Sequence, residues 1–195
     1  MQSNTIVIIS GYARAGKDTV GAHLTNPDTY SLKRYSFAAK LKEAAMRLTV
    51  WDKVEIDGNT EYVERPYWDG RDETKRHPCV QLGKVMRDVV SPTIWVDALL
   101  ADSQFEQDVK RHGVVITDCR YLNELHAIQA KAQQWNADWL LFWVERDVEP
   151  QGEELEKTTP LREHASVLPN YGTIDDLITK VDTALQFFQQ LDQAA

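Results

Sequence analysis

Two glycines and a lysine, in the order Gly11-Tyr12-Ala13-Arg14-Ala15-Gly16-Lys17, have the types and spacing to hold a chain of phosphates. Glycines let the backbone curl so that successive N–H groups face inward. A helix starting at the second glycine adds its partial positive charge, and the lysine ammonium then reaches the β- and γ-phosphates of a nucleotide. Gly11, Ala13, Arg14, Ala15, Gly16, Lys17 and Thr19 are therefore the expected contacts of that chain. Loops of this kind usually place Ser or Thr straight after the lysine, where the hydroxyl holds Mg²⁺. Here Asp18 stands in that place and Thr19 follows. A carboxylate is a hard oxygen donor suited to Mg²⁺, so Asp18 is the expected metal ligand and Thr19 a donor to a phosphate oxygen.

A second group of residues extends the site. Asp118 ends the apolar run Val114-Val115-Ile116-Thr117, and an acid at the tip of a strand that follows such a loop commonly binds the Mg²⁺ shell. Arg120 offers a planar fork for bidentate phosphate contact. Arg14 stands inside the loop itself, and Arg146 and Arg162 are candidate lid cations. Lys17, Arg120, Asp118 and Arg14 make up a set that aligns and neutralises phosphates. No Ser–His–Asp or Cys–His arrangement offers a competing chemistry.

The elements that must position these residues follow from pattern. Ile6 to Ile9 is a short β-branched run broken at Gly11, and helix-compatible sequence begins near Gly16, so strand, tight loop and helix start share one span. The first helix is expected over 17–24, a second strand over 35–38 and a helix over 39–48. Residues 49–78 are polar and turn-rich. Asp57-Gly58-Asn59 between Val54, Ile56, Tyr62 and Val63 reads as a β-hairpin, with Arg65, Arg71, Lys75 and Arg76 in a following loop. Trp51 and Trp68 read as packing residues of this insertion. Helices near 80–90 and 93–105 are separated by Ser91-Pro92. After the strand at 114–117 come a helix to about 134, a strand at 139–144, a charged mobile loop over 147–163, a last strand at 166–168 and a final helix capped by Thr173. Strands alternating with helices predict a three-layer α/β/α domain with a mostly parallel five-stranded sheet. An acceptor-binding insertion is expected at about 38–105 and a short lid at about 146–165. Gly11, Asp118 and Arg146 stand at carboxyl ends of strands, where such sheets bind ligands.

The 195 residues carry a net charge of −8, which argues against a general nucleic-acid binder. Residues 33–87 nevertheless hold 12 Lys and Arg against 9 Asp and Glu, a hint of an anionic ligand in the middle of the chain. The longest apolar stretch is too short to span a bilayer, and no basic residue precedes Ile6 as in a signal peptide. Cys79 and Cys119 read as free thiols of a reducing cytoplasm. The expectation is a cytoplasmic protein whose partners are small molecules, with neither nucleic acid nor membrane; a homodimer is compatible with the sequence.

With these pieces placed, the chain resembles the deoxynucleoside monophosphate kinases of tailed bacteriophages, a branch of the P-loop NMP-kinase-like proteins. The resemblance rests on Ser10-Gly11 through Gly16-Lys17-Asp18-Thr19, on Ser36-Phe37-Ala38 with Leu41-Lys42-Glu43, on Gln81-Leu82-Gly83 with Arg87, Trp95-Val96 and Leu99, and on Thr117-Asp118-Cys119-Arg120 with Asn123-Glu124. A further match is His164-Ala165-Ser166 before Asn170-Tyr171-Gly172, where the family usually has an acid after the Ser and this chain has Val167. The resemblance implies ATP and Mg²⁺ as cofactors, host cytoplasm as the compartment, and Gln81, Arg87, Arg120 and Lys42 on the acceptor. The Gly-Lys-Asp loop is shared with phosphomevalonate kinases, and dephospho-coenzyme A kinases are relatives. Another small phosphorylated acceptor, or a nucleotide-binding switch without transfer, are the alternatives.

Overall fold

The computed structural model describes residues 4–57, 59–68, 76–152 and 154–194. By its packing the chain forms two units, one made of the residues up to Phe37 together with those from Val96 onward, the other of Ala38–Trp95.

The first unit is built on β1 (Thr5–Ser10), whose six residues are all buried. A strand without a polar face belongs in a parallel sheet covered on both sides. That sheet has five strands in the order β2-β5-β1-β6-β7, with β2 Lys33–Tyr35, β5 Val114–Ile116, β6 Asp138–Glu145 and β7 Ser166–Pro169, every neighbour parallel. One face carries Val7, Ile9, Val115, Phe142 and Val144 against Val20 and Leu24 of α1 (Lys17–Thr25) and Leu177, Val181 and Leu185 of α8 (Ile174–Ala194). Ile6 and Ile8 alternate to the opposite face, which α5 (Ser103–His112) and α6 (Leu122–Trp135) cover with buried Phe105, Val109, Leu125 and Ile128. The architecture is thus three layers, α/β/α. From β1 the chain moves two places to β2, and from β5 two places the other way, to β6. β1 and β5 therefore flank the reversal of winding, whose crevice at the carboxyl ends is where sheets of this kind bind ligands. At its far end α1 is tied to α8 by Asp182, which accepts from Tyr30 Oη–H at 2.9 Å and meets His23 Nε2 at 2.6 Å. Burial, aided by Asp182, pushes the Tyr30 hydroxyl up to about 12.

The second unit, taken by itself, contains most of α2 (Phe37–Arg47), the antiparallel hairpin β3 (Thr49–Ile56) and β4 (Asn59–Pro66), and α3 (Arg76–Val89). The expected hairpin forms with Ile56 opposite Asn59; Gly58 of its turn lies outside the described residues. Leu41 of α2 packs where a Cβ on Gly83 of α3 would stand, and Trp95 Nε1–H donates to Gly83 O at 3.3 Å. Arg65 belongs to β4 and Arg76 opens α3, while Arg71 and Lys75 lie outside the described residues. Trp51, expected to pack, is 62% exposed, because it lies on the face of β3 opposite the half-buried Val50, Asp52 and Val54.

Three boundaries differ from the sequence reading. The second strand ends at Tyr35 rather than 38, since Asp118 Oδ1 accepts the Phe37 N–H at 2.9 Å and starts α2 there. The helix expected over 93–105 divides into α4 (Ile94–Leu100) and α5, because Asp102 caps α5 by accepting from Gln104 N–H at 2.8 Å. The loop expected over 147–163 contains α7 (Glu154–Lys157) and a 3₁₀ segment (Thr159–His164). Pro160 suits the first turn of that segment, and Leu161 and Thr158 anchor it, at 0% and 2% exposure. Among the described residues no helix is long and apolar enough to cross a membrane.

Leu161→Ala is expected to lower the unfolding free energy by about 2–5 kcal/mol, as for deletion of a fully buried leucine. Urea denaturation measures this; a change within ~0.5 kcal/mol, normal for a mobile surface segment, would contradict the packed 3₁₀ segment.

Candidate functional site

The turn after β1 is shaped by two close approaches. Gly11 has φ +133°, and a Cβ there would stand 2.5 Å from Val144 O of β6. Only glycine tolerates that conformation and that neighbour together. Gly16, at φ +109°, opens α1, and a Cβ there would stand 2.6 Å from Asn170 Nδ2. Between them Arg14 takes a left-handed φ of 64°, and Ala15 N–H donates to Tyr12 O at 3.2 Å. Asn170, in the turn after β7, braces the loop from behind. Its Nδ2 donates to Ala15 O at 2.7 Å and its backbone N–H to Glu145 O at 2.6 Å.

Lys17 folds over this curl. Its Nζ donates to Gly11 O and to Tyr12 O, each at 2.7 Å. The ammonium therefore stands at the carboxyl end of the central strand, beside the N-terminus of α1, with two carbonyls as partners. Thr19 and Ala13 are half-buried, and the Arg14 side chain is exposed.

The turn after β5 is pinned next to the loop. Ser10 Oγ–H, fully buried, donates to Cys119 O at 2.8 Å. The buried Glu124 carboxylate accepts from Arg120 N–H at 2.8 Å and Tyr121 N–H at 3.1 Å, closing the first turn of α6. Asp118 is half-buried with Oδ1 on the Phe37 N–H, and the Arg120 side chain is exposed. Complete burial, with Glu124 and Asp118 nearby, holds the Cys119 thiol far above its ordinary range, so it is no nucleophile at neutral pH.

Asp18 is almost fully exposed and pairs with Arg34 of β2, Nη2 to Oδ1 at 2.5 Å. Arg146 follows β6 and is exposed. Arg162 Nε donates to Glu145 Oε2 at 2.6 Å while Tyr171 Oη–H donates to Oε1 at 3.0 Å. The Arg162 hydrogen bond holds the Glu145 carboxyl below its ordinary range, with desolvation opposing it. Tyr12 of the loop shares a 2.6 Å hydrogen bond with Thr159 and stacks edge-on to Trp143. The fold thus brings the loop from Gly11 to Thr19, the turn Asp118–Arg120 and Arg146 to the carboxyl ends of three adjacent strands.

Lys42, Gln81 and Arg87 belong to the second unit. Lys42 is exposed on α2, and its charge lowers the Cys79 thiol, against burial, which raises it more. Arg87 is half-buried with Nη2 near Gly83, and Gln81 is exposed. Six positions apart, Gln81 and Arg87 stand about 120° apart around α3.

Among the described residues no group of three or more His, Cys, Asp or Glu side chains gathers as a metal cage. Mg²⁺ bound with a nucleotide takes only one or two carboxylates, the rest of its shell being phosphate and water. The exposed Asp18 carboxylate beside the loop, with Asp118 and the Thr19 hydroxyl, fits that donor chemistry. Pattern reading missed Arg34, Glu145, Tyr12 and Asn170. Only Asn170 had a local signal, as a turn residue before Tyr171-Gly172.

No family model matches this chain, and no curated protein sequence matches it. Among solved structures it is similar to an unliganded sugar kinase from Janibacter sp. HTCC2649, at 12% identity and a TM-score of 0.48, over 96% of this chain and 95% of that one. Neither the reaction nor the acceptor of this chain follows from that likeness.

Gly11→Ala is expected to destabilise the protein by about 1–3 kcal/mol, the range for a residue forced into a sparsely populated conformation. Thermal or urea unfolding reads it. A neutral substitution would show that the turn does not need the approach of Val144 O.

Proposed function

We propose that this protein transfers the γ-phosphoryl group of ATP to the phosphate of a nucleoside monophosphate, with deoxynucleoside monophosphates as acceptors. The observation that carries the reading is the Lys17 ammonium, held 2.7 Å from two loop carbonyls at the mouth of a glycine-shaped turn and beside a helix N-terminus. An ammonium so placed has partners without a ligand and needs only a short side-chain movement to meet a triphosphate. The acceptor class comes from the resemblance of the Asp118–Arg120 and Gln81–Arg87 stretches.

The chemistry demands little of acids and bases. A phosphate monoester, with its second pKa near ~6, is already ionised at neutral pH, so no general base has to remove a proton. Alignment and neutralisation of charge around a loose transition state remain. Inward N–H groups of the loop would hold the β- and γ-phosphate oxygens, and Lys17 would leave the Gly11 and Tyr12 carbonyls to follow the transferring group. Arg14 and Arg120, both exposed at the crevice, would add charge on either side. Arg162 would have to part from Glu145 to join Arg146 on the phosphates. Asp18, Thr19 and Asp118 would be the donors to Mg²⁺, which would supply neutralisation of phosphate charge. Gln81, Arg87 and Lys42 are assigned to the acceptor.

A panel of nucleoside and deoxynucleoside monophosphates, assayed for ADP formation from ATP, tests the reading. ADP release that depends on a deoxynucleoside monophosphate is expected. Slow ADP release indifferent to every monophosphate would instead describe a nucleotide-binding switch. Lys17→Ala is expected to lower kcat by about 10²–10³-fold, the loss of ~3–4 kcal/mol typical of one electrostatic clamp. Single-turnover measurements check it, and a loss under about threefold would remove Lys17 from the mechanism.

A further inference from the structure

Arg34 stands in a three-residue edge strand, β2, and nothing in its local sequence marks it. In the fold its guanidinium is held from two sides. Nη2 donates to Asp18 Oδ1 at 2.5 Å and lies 3.4 Å from Oγ1 of Thr117, a residue 6% exposed at the end of β5. It also lies against the bare backbone of Gly21, where a Cβ would stand 3.8 Å from Arg34 Cζ. The edge strand β2, the helix α1 and the end of β5 thus converge on one cation at the mouth of the crevice.

Stability does not explain this arrangement. Asp18 has a side-chain exposure of 90% and Arg34 of 45%, and exposed pairs contribute little. An acid in the first turn of α1 is already favoured by the helix dipole. What does need a counter-charge is the approach of a polyanion. A free carboxylate immediately after Lys17 would repel a phosphate chain entering the loop, and Arg34 cancels that charge.

We infer that Arg34 is a displaceable counter-cation of Asp18: the carboxylate is paired with the guanidinium when the loop is empty, and exchanges it for the divalent cation that accompanies the nucleotide. Arg34 is then a positioning residue that sets how tightly the metal is held. The exchange is a competition between two cations for one carboxylate, with no bond made or broken. The inference rests on the proposed use of the loop for a metal-bound nucleotide.

Two consequences follow from competition and from nothing else. Removing Arg34 must tighten metal binding, because it frees a ligand and removes a like charge at once. Most of that gain must also be lost when Asp18 can no longer bind metal, because only the relief of the like charge then remains.

The test uses the full chain saturated with the β,γ-imido analogue of ATP, which is not turned over, and Mn²⁺ as the probe. Free Mn²⁺ is read by electron paramagnetic resonance. Arg34→Gln is expected to tighten Mn²⁺ by about fivefold, the equivalent of the ~1 kcal/mol of an exposed ion pair. Arg34→Lys is expected to stay near the wild type. Asp18→Asn is expected to weaken Mn²⁺, and adding Arg34→Gln to it to give a clearly smaller gain than Arg34→Gln gives alone. Unchanged or weaker Mn²⁺ binding in Arg34→Gln overturns the inference, as does an equal gain in the Asp18→Asn background. In both of those cases the analogue still binds and the proposed function stands. If the wild type fails to bind the analogue at all, both fall together. Melting temperatures of the variants identify any that fail to fold, and Arg34→Ala, with the same gain expected, supplies the comparison if Arg34→Gln does.

Discussion

The ammonium of Lys17 on the carbonyls of Gly11 and Tyr12 is the contact to which the rest of the site is fitted. Two carbonyls point at one nitrogen only if the backbone curls tightly. That curl closes as a turn, with the Ala15 N–H on Tyr12 O. The curl needs Gly11 at positive φ with Val144 O against it, and Gly16 at positive φ with Asn170 behind it. Those neighbours come from β6 and the turn after β7, so the loop is as well placed as the sheet is registered. β1 and β6 pair in parallel along the whole of β1, Ser10 facing Trp143. A 2.7 Å contact in the loop thereby depends on strand pairing between distant parts of the chain.

The second half of the crevice is built by similar means. β5 lies next to β1, and the residues beyond it are pinned to both neighbours: Ser10 holds Cys119 O, and Asp118 holds the first amide of α2. Glu124, buried under the first turn of α6, takes up the N–H groups of Arg120 and Tyr121. A buried carboxylate without such partners would be costly. The result is a short turn whose backbone is fixed while the Arg120 side chain stays in solvent.

Parts of this were legible in the sequence and parts were not, for reasons that differ by residue. β1 and its loop were legible because a β-branched run, two glycines and a lysine are local signals, and each has a single structural use. The start of α2 was not. Phe37 looks strand-like, and the group that caps its amide is Asp118, far along the chain. Residues 147–163 looked like a loop because charge, Pro150, Gly152 and Pro160 outweigh one buried leucine, Leu161, which no window can weigh. Arg34 illustrates the same limit in the site. Its placement depends on Asp18 and Thr117 arriving from two other elements, and neither lies within a helical turn of it in sequence. Asp18, conversely, was legible as a departure from the usual loop, but its ion pair was not.

On the proposed function, the turn after β1 receives a triphosphate tail through its backbone amides. Amide ¹H–¹⁵N spectra recorded while a non-hydrolysable ATP analogue is titrated test it most directly. Saturable shifts concentrated at Ala13, Ala15, Gly16, Lys17 and Thr19 are expected, with the amides of β3 and β4 unmoved. Saturable binding that leaves those five amides in place would contradict it, because the nucleotide would then be held elsewhere.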